Sequence, residues 1–189
     1  MISLQNKNET QPIDLCLHHD SSTIYVCDVG RNVFEVFDMN GKLQHVIDDQ
    51  TTKKFQPTSI AVAYDGTIIA ASHFNHRLQM YSPDIEENYH YKQYKLGTPG
   101  HNIHEFYYPA GIAIDYHEGY LYVCDRGNFR IKVLRPEGVC ERVIDLVSYD
   151  EKQSPIAPIQ IAHQKLADQL VCLVDKGEAI CFVTKNSDG

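Results

Sequence analysis

Short runs of alternating apolar and polar residues, each closed by Gly, Asn, Asp or Pro, follow one another along almost the whole chain. Runs at the strand period between turn residues predict antiparallel β-strands. The most regular stretch is 106–138. It holds a Pro-led apolar run (111–114), a turn at His117-Glu118-Gly119 and a strand over 120–124. Arg126-Gly127-Asn128 turns the chain again, 130–134 alternates, and Pro136-Glu137-Gly138 leads a hairpin into 139–144. One four-stranded meander cannot bury both its faces, so it must stack against copies of itself.

The copies are visible. Pro12 precedes Asp28 by 16 positions, Pro109 precedes Asp125 by 16, and each Asp ends a Val-Cys-Asp. A further copy runs from Pro57 through Ala70-Ala71-Ser72, and another from Pro158 through Leu173-Val174-Asp175. With Asp28, Ser72, Asp125 and Asp175 as anchors, the spacings are 44, 53 and 50 residues. That suits propeller blades with loops of varying length. The repeats cover about 11–48, 56–95, 106–146 and 155–189. Other strands are predicted over 13–17, 23–27, 33–37 and 43–47, then 59–63, 67–71, 77–81 and 89–94, and finally 159–163, 170–175 and 178–184. Asn40-Gly41 and Asp65-Gly66 are hairpin signals, and Pro99-Gly100 reads as a turn with His101 and His104 facing solvent. No helix is predicted. The fold class is all-β: a β-propeller of about four antiparallel blades.

The third copy, Pro-x-Gly-Ile-Ala-Ile-Asp followed by Tyr-Val-x-Asp-x-Gly-Asn-x-Arg-Ile-x-Val, resembles the NHL repeat, named for an Asn-His-Leu core. The second copy keeps Asn75-His76-Arg77-Leu78 but has Ser72 in place of the Asp, and the first keeps Asp28, Gly30 and Asn32 without the Arg. The fourth is the most degenerate. Since NHL propellers usually have six blades, the resemblance implies part of a larger ring, with the remaining blades in a longer chain. A closed four-bladed ring is the alternative, with residues 1–4 as the missing outer strand of the last blade. Residues 185–189 read as the turn before that strand.

Composition narrows the function classes. The chain has 189 residues, 43% hydrophobic and 22% charged, which is ordinary for a globular domain. A formal net charge of −8 argues against generic nucleic-acid binding, DNA included. Nine of the 12 Tyr lie between Tyr81 and Tyr122, an enrichment that strand propensity accounts for by itself. The six Cys have no Cys-x-x-Cys spacing, so free buried thiols, a reducing compartment and a cytoplasmic location are expected. No leader-like apolar segment opens the chain, and no apolar run is long enough for a membrane span.

Candidate chemistry is sparse. His18, His19, His73, His76, His101, His104, His117 and His163, with Asp20, are the candidate metal ligands, and His101-x-x-His104 in a loop has the spacing of a weak metal site. Propeller amidating lyases similar to NHL proteins use His-bound metal, and lactonase-type propellers hold a divalent ion with acidic and Asn ligands. Asp28, Asp125 and Asp175 fit better as loop anchors accepting backbone N–H groups, with Asn32, Asn75, Gly127 and Asn128 as turn residues. Arg77 and Arg130 open strands and are expected to pair with carboxylates. No nucleophile elbow or phosphate loop is present, so no cofactor, metal or catalytic residue is assigned.

In propellers the loop between the second and third strands shares a face with the crossover between blades. Arg31, His73, Phe74, Arg126 and Phe129 should therefore meet Phe106, Tyr107 and Tyr108 on one rim. Arg and aromatic groups dominate binding hot spots and also stack on unpaired bases. NHL domains of tripartite-motif ubiquitin ligases use this face for proteins or single-stranded RNA. The resemblance implies a non-catalytic platform for a protein partner, serving a ligase module outside this sequence. Single-stranded RNA binding is the first alternative, and a propeller enzyme of lyase or lactonase type the second.

Overall fold

The structure is a computed structural model and describes residues 10–18, 22–48, 55–84, 91–147, 154–164 and 169–175, with the backbone of 180–184. Four antiparallel sheets follow one another along the chain, each in simple sequence order. The first is β1 (Pro12–His18), β2 (Thr23–Asp28), β3 (Val33–Asp38) and β4 (Leu43–Asp48). The second is β5 (Pro57–Val62), β6 (Ile68–Ser72), β7 (Arg77–Pro83) and β8 (Tyr91–Leu96). A two-residue parallel ribbon, β9 (Thr98–Pro99) with β10 (Glu105–Phe106), leads to the third. The third is β11 (Pro109–Ile114), β12 (Leu121–Asp125), β13 (Arg130–Leu134) and β14 (Cys140–Asp145). The fourth has β15 (Pro158–Gln164), β16 (Gln169–Val174) and β17 (Ile180–Thr184). This is the arrangement of propeller blades, and the expected all-β fold holds.

The strands form where alternation meets turn chemistry. The middle strands are covered on both faces, so Ile68–Ser72 and Leu121–Asp125 are buried at every position. The outer strand Cys140–Asp145 alternates half-buried and exposed residues, as an edge with one packed face must. The first strands of successive blades lie side by side, β1 on β5, β5 on β11 and β11 on β15. Each seam has its own apolar core. Tyr25, Phe34, Ile60 and Val62 fill the first, Ala61, Leu78, Ile112 and Val123 the second, and Tyr122, Cys124, Ile161 and Cys172 the third.

The seams are also stitched by polar groups. Asp14 Oδ2 accepts the Ser59 hydroxyl at 2.6 Å and the Ile60 N–H at 3.0 Å. Ser59 Oγ in turn accepts the Ile112 N–H at 3.2 Å, linking the innermost strands of three blades. At the third seam Gly111 allows the closest approach. A Cβ there would stand 2.6 Å from Gln160 Cα and 2.9 Å from the Ile159 oxygen, both backbone atoms that cannot swing away. Gly111→Ala is therefore expected to destabilise by about 1–3 kcal/mol through overpacking. Urea denaturation checks this, and an unchanged midpoint would show that the blades slide apart freely.

Asp14 and Cys16 face the second blade, so Ile13, Leu15 and Leu17 face away from it. Register matches Leu15 and Leu17 with Ile60 and Val62 of the second blade. The latter are 3% and 0% exposed against the preceding blade, whereas Leu15 and Leu17 are 60% and 53% exposed.

Three local expectations change. Residues 126–128, read as a turn, form one turn of 3-10 helix. Pro99, read as a turn residue, lies in the parallel ribbon, which is too short to leave a periodic signal. Pro158 pairs with Val174, as Pro12 pairs with Asp28 and Pro109 with Asp125. Asp175 thus lies one residue beyond the anchor position, and an apolar residue occupies that position in the fourth blade. The expected strand over 1–4 and the turn 185–189 lie outside the described residues. Cys16, Cys27, Cys124, Cys140 and Cys172 are free thiols, and burial pushes the Cys16 thiol up to about 12.

Candidate binding face

The site begins at the β12–β13 turn. Asp125, wholly buried, takes the Tyr107 N–H on Oδ1 at 2.8 Å, and Asn128 Nδ2 and Arg130 Nε on Oδ2, each at 2.8 Å. One carboxylate thus ties the crossover before its blade to the loop after it. Gly127 completes the tie by donating its N–H to the Tyr107 oxygen at 2.7 Å. A Cβ on Gly127 would lie 2.7 Å from that oxygen, so only Gly fits this approach. Asp28 repeats the pattern, accepting the N–H groups of Gln11 (2.8 Å) and Arg31 (3.2 Å). Ser72 Oγ keeps one part of it, the bond from Asn75 Nδ2 at 2.7 Å. Asp28 and Asp125 thus accept loop N–H groups, while Asn75, Asn128 and Gly127 are donors in the same loops.

Asn32 differs from Asn75 and Asn128. It sits four residues after its anchor, where His76 and Phe129 sit in the next two blades, and all three have left-handed backbone, with φ of 57°, 51° and 56°. Asn adopts this region at little cost, while His and Phe there need the surrounding turn to hold them.

Those turns, with the crossover, assemble a file of rings. Phe74 meets His73 (5.1 Å between centroids), His73 meets Tyr108 (4.7 Å), and Tyr108 meets His76 (4.3 Å). His76 stacks on Tyr107 (5.0 Å, 11° between planes), and Tyr107 meets His101 (4.9 Å). His76 Nδ1 accepts the Tyr108 N–H at 3.0 Å. His101 Nδ1 donates to Asn128 Oδ1 at 2.6 Å. Burial, then the Arg126 charge and His76, lower the proton affinity of His73. Beyond the file, Arg126 bridges to Asp175 of the fourth blade at 3.0 Å.

Five of the residues expected on the rim are thus brought together: His73, Phe74, Tyr107, Tyr108 and Arg126. Phe74 is 65% exposed and Phe129, on the turn beside Arg126, 42%. Two of the expected residues do not join them. Phe106 is 2% exposed, packed in the second seam with the Lys132 ammonium 4.0 Å from its ring. It belongs to β10, whose pairing with β9 turns it inward. Arg31 donates to Glu35 at 2.5 Å and is not the counterpart of Arg126, since it lies three residues after its Asp rather than one. His76, read as a metal candidate, and His101, read as facing solvent, are members of the file; His76 holds a repeat position, four residues after its anchor, whereas His101 lies in the crossover and has no counterpart in the repeats. Among the described residues no set of three His, Cys, Asp or Glu is grouped to hold a metal ion.

Sequence reading also missed the buried polar residue on the third strand of each of the first three blades. Glu35, Gln79 and Lys132 occupy one register position and are 0%, 2% and 0% exposed. Lys132 Nζ donates to the Ile103 oxygen at 2.8 Å and to the Glu105 oxygen, pinning the crossover that carries Tyr107.

Fold and site together define a set of β-propeller blades with an aromatic loop face. Residues 106–134 match the family model described as NHL repeat. No curated protein matches the chain by sequence. Among solved structures, a catalytically inactive virginiamycin B lyase from Staphylococcus aureus with quinupristin is similar at 17% identity and a TM-score of 0.70, covering 98% of this chain and 56% of its own. A nidogen/laminin complex is similar at 17% identity and a TM-score of 0.70, covering 97% and 62%. The β-propeller domain of Cps50 (Swd1) from Myceliophteria thermophila gives 8% identity and a TM-score of 0.62, covering 95% and 56%. The chain thus spans about half the length of such structures, and the likeness is one of fold. Among the described residues no helix is long and apolar enough to cross a membrane.

Proposed function

We propose that this protein is a recognition platform that binds a protein partner through the loop face of its blades. The observation that carries the reading is the file from Phe74 through His73, Tyr108, His76 and Tyr107 to His101, with Arg126 beside it. Aromatic and Arg side chains held rigid by backbone anchors lose little entropy on binding, which is what interface hot spots require. The net charge of −8 favours a protein partner over a polyanion. That a structural relative is a nidogen/laminin complex, an assembly of proteins, supports the same choice. Presentation of the bound partner to a ubiquitin-ligase module in a longer chain belongs to this reading.

Selection of peptides from a random display library on the immobilised chain tests it. Selected peptides are expected to lose about tenfold or more in affinity on Phe74→Ala or Arg126→Ala. Tyr94→Ala, exposed on the outer strand of the second blade, should leave them unchanged. Peptides indifferent to both loop-face changes would overturn the reading. Single-stranded RNA retained in their place, with affinity falling steeply as salt rises, would replace it with the nucleic-acid alternative.

A further inference from the structure

The second blade lacks a charge that its neighbours have. Strand pairing sets Ser72 opposite Arg77 just as it sets Asp125 opposite Arg130. In the third blade that pairing closes an ion pair, Arg130 Nε to Asp125 Oδ2 at 2.8 Å. The first blade pairs its own cation, Arg31, with Glu35 at 2.5 Å and sets it 3.9 Å from Asp28. In the second blade Ser72 offers a hydroxyl already engaged by Asn75. Arg77 Nε is buried without a hydrogen-bond partner. A buried donor on a cation left unpaired is costly, and an unmet group of this kind in a native fold calls for a ligand or another physical cause.

Arg77 lines an open pocket of about 560 Å3 between the second blade and the crossover that follows it. Lys95, on the same face of the sheet because it pairs with Gln79, and His104 from the crossover line it too, with Asn75 and Thr98. None of the lining residues is acidic. Among the described residues no carboxylate pairs with Arg77, Lys95 or His104. In a chain of net charge −8, three basic side chains gathered without a counter-ion form a local field that attracts anions and repels cations.

We propose that this pocket is an oxyanion-binding site, in which a phosphate group takes the place of the carboxylate that position 72 lacks. The guanidinium supplies a planar fork of donors, while Lys95 and His104 approach from the outer strand and the crossover. Donors on three sides match the three free oxygens of a phosphate monoester better than the two of a carboxylate. The inference does not rest on the partner reading, although His104 lies on the crossover that carries His101 of the ring file.

NMR titration of the full chain with inorganic phosphate tests it, against acetate and with chloride balancing ionic strength. Phosphate is expected to shift the Arg77 Nε–H and the Gly97 and Thr98 amides saturably, with a dissociation constant on the order of millimolar. Ser72→Asp supplies the internal carboxylate and is expected to weaken phosphate at least about tenfold, as is Arg77→Gln. Lys95→Gln, an exposed change that spares the fold, should weaken it several-fold. Saturable acetate binding with the same response to the variants would support the site with an acidic side chain as its ligand. Shifts that never saturate, or saturable binding that survives Ser72→Asp and Lys95→Gln, would overturn it.

Discussion

Asp125→Ala is expected to lower stability by about 3–5 kcal/mol, the cost of removing one partner from a buried ion pair. Asp125 and Lys132 are both fully buried and the Arg130 side chain is 12% exposed, so water cannot replace the lost carboxylate. The substitution leaves Arg130 Nε and the Tyr107 N–H without their acceptor, and Asn128 Nδ2 with only its bond to the Gly100 oxygen. Asp125→Asn keeps the shape and some of the acceptors, so its loss should be smaller. Urea denaturation followed by circular dichroism measures both, and a loss under about 1 kcal/mol for the Ala variant would show the network to be dispensable. The same substitution frees the crossover, so the Tyr107 and Tyr108 amides should exchange with solvent before the unfolding midpoint.

The second large effect is set by pH. Burial, opposed by Asp125 and reinforced by Arg130, pulls the Lys132 amine from 10.5 down to about 8. Between those values the unfolded chain holds a proton that the folded protein has released, so stability attributable to this residue rises with pH. The penalty for the buried charge is full below pH 8 and gone above about 10.5. Compared with Lys132→Met, the wild type should gain about 3 kcal/mol between those limits. Taking the difference removes the opposing contribution of other buried groups, such as Tyr116, which burial pushes up to about 12. Unfolding measured at pH 8 and 10.5 decides it. A flat difference would mean that the carbonyls of Ile103 and Glu105 hold the ammonium without cost.

The blades were legible because a strand's side-chain period is short and local. Gly, Asn and Pro mark its ends, so the hairpins of 11–48 and 106–146 could be read residue by residue. Val174 was misread because the conspicuous Asp175 stands beside it, and only register against Pro158 shows which of the two pairs. Phe106 is expected on the rim because it belongs, with Tyr107 and Tyr108, to the crossover between blades. The parallel ribbon that turns it inward is made by residues several positions apart and has no period to detect. His76 and His101 are separated by 25 positions, and they join one file only because the Tyr107 ring, which meets His101, stacks on His76 once the second and third blades pack together.

The sequence by itself determined the repeat: strand order within each blade, the anchoring Asp, and Ser72 as the place where the pattern loses a charge. Those features depend on contacts within a few dozen residues, where turn chemistry and alternation act. Tertiary structure alone decided which anchors are paired, that Glu35, Gln79 and Lys132 are buried, and that Arg77 is left without its carboxylate. These depend on how blades and crossovers close over one another, and burial is a property of the stack that no single strand carries.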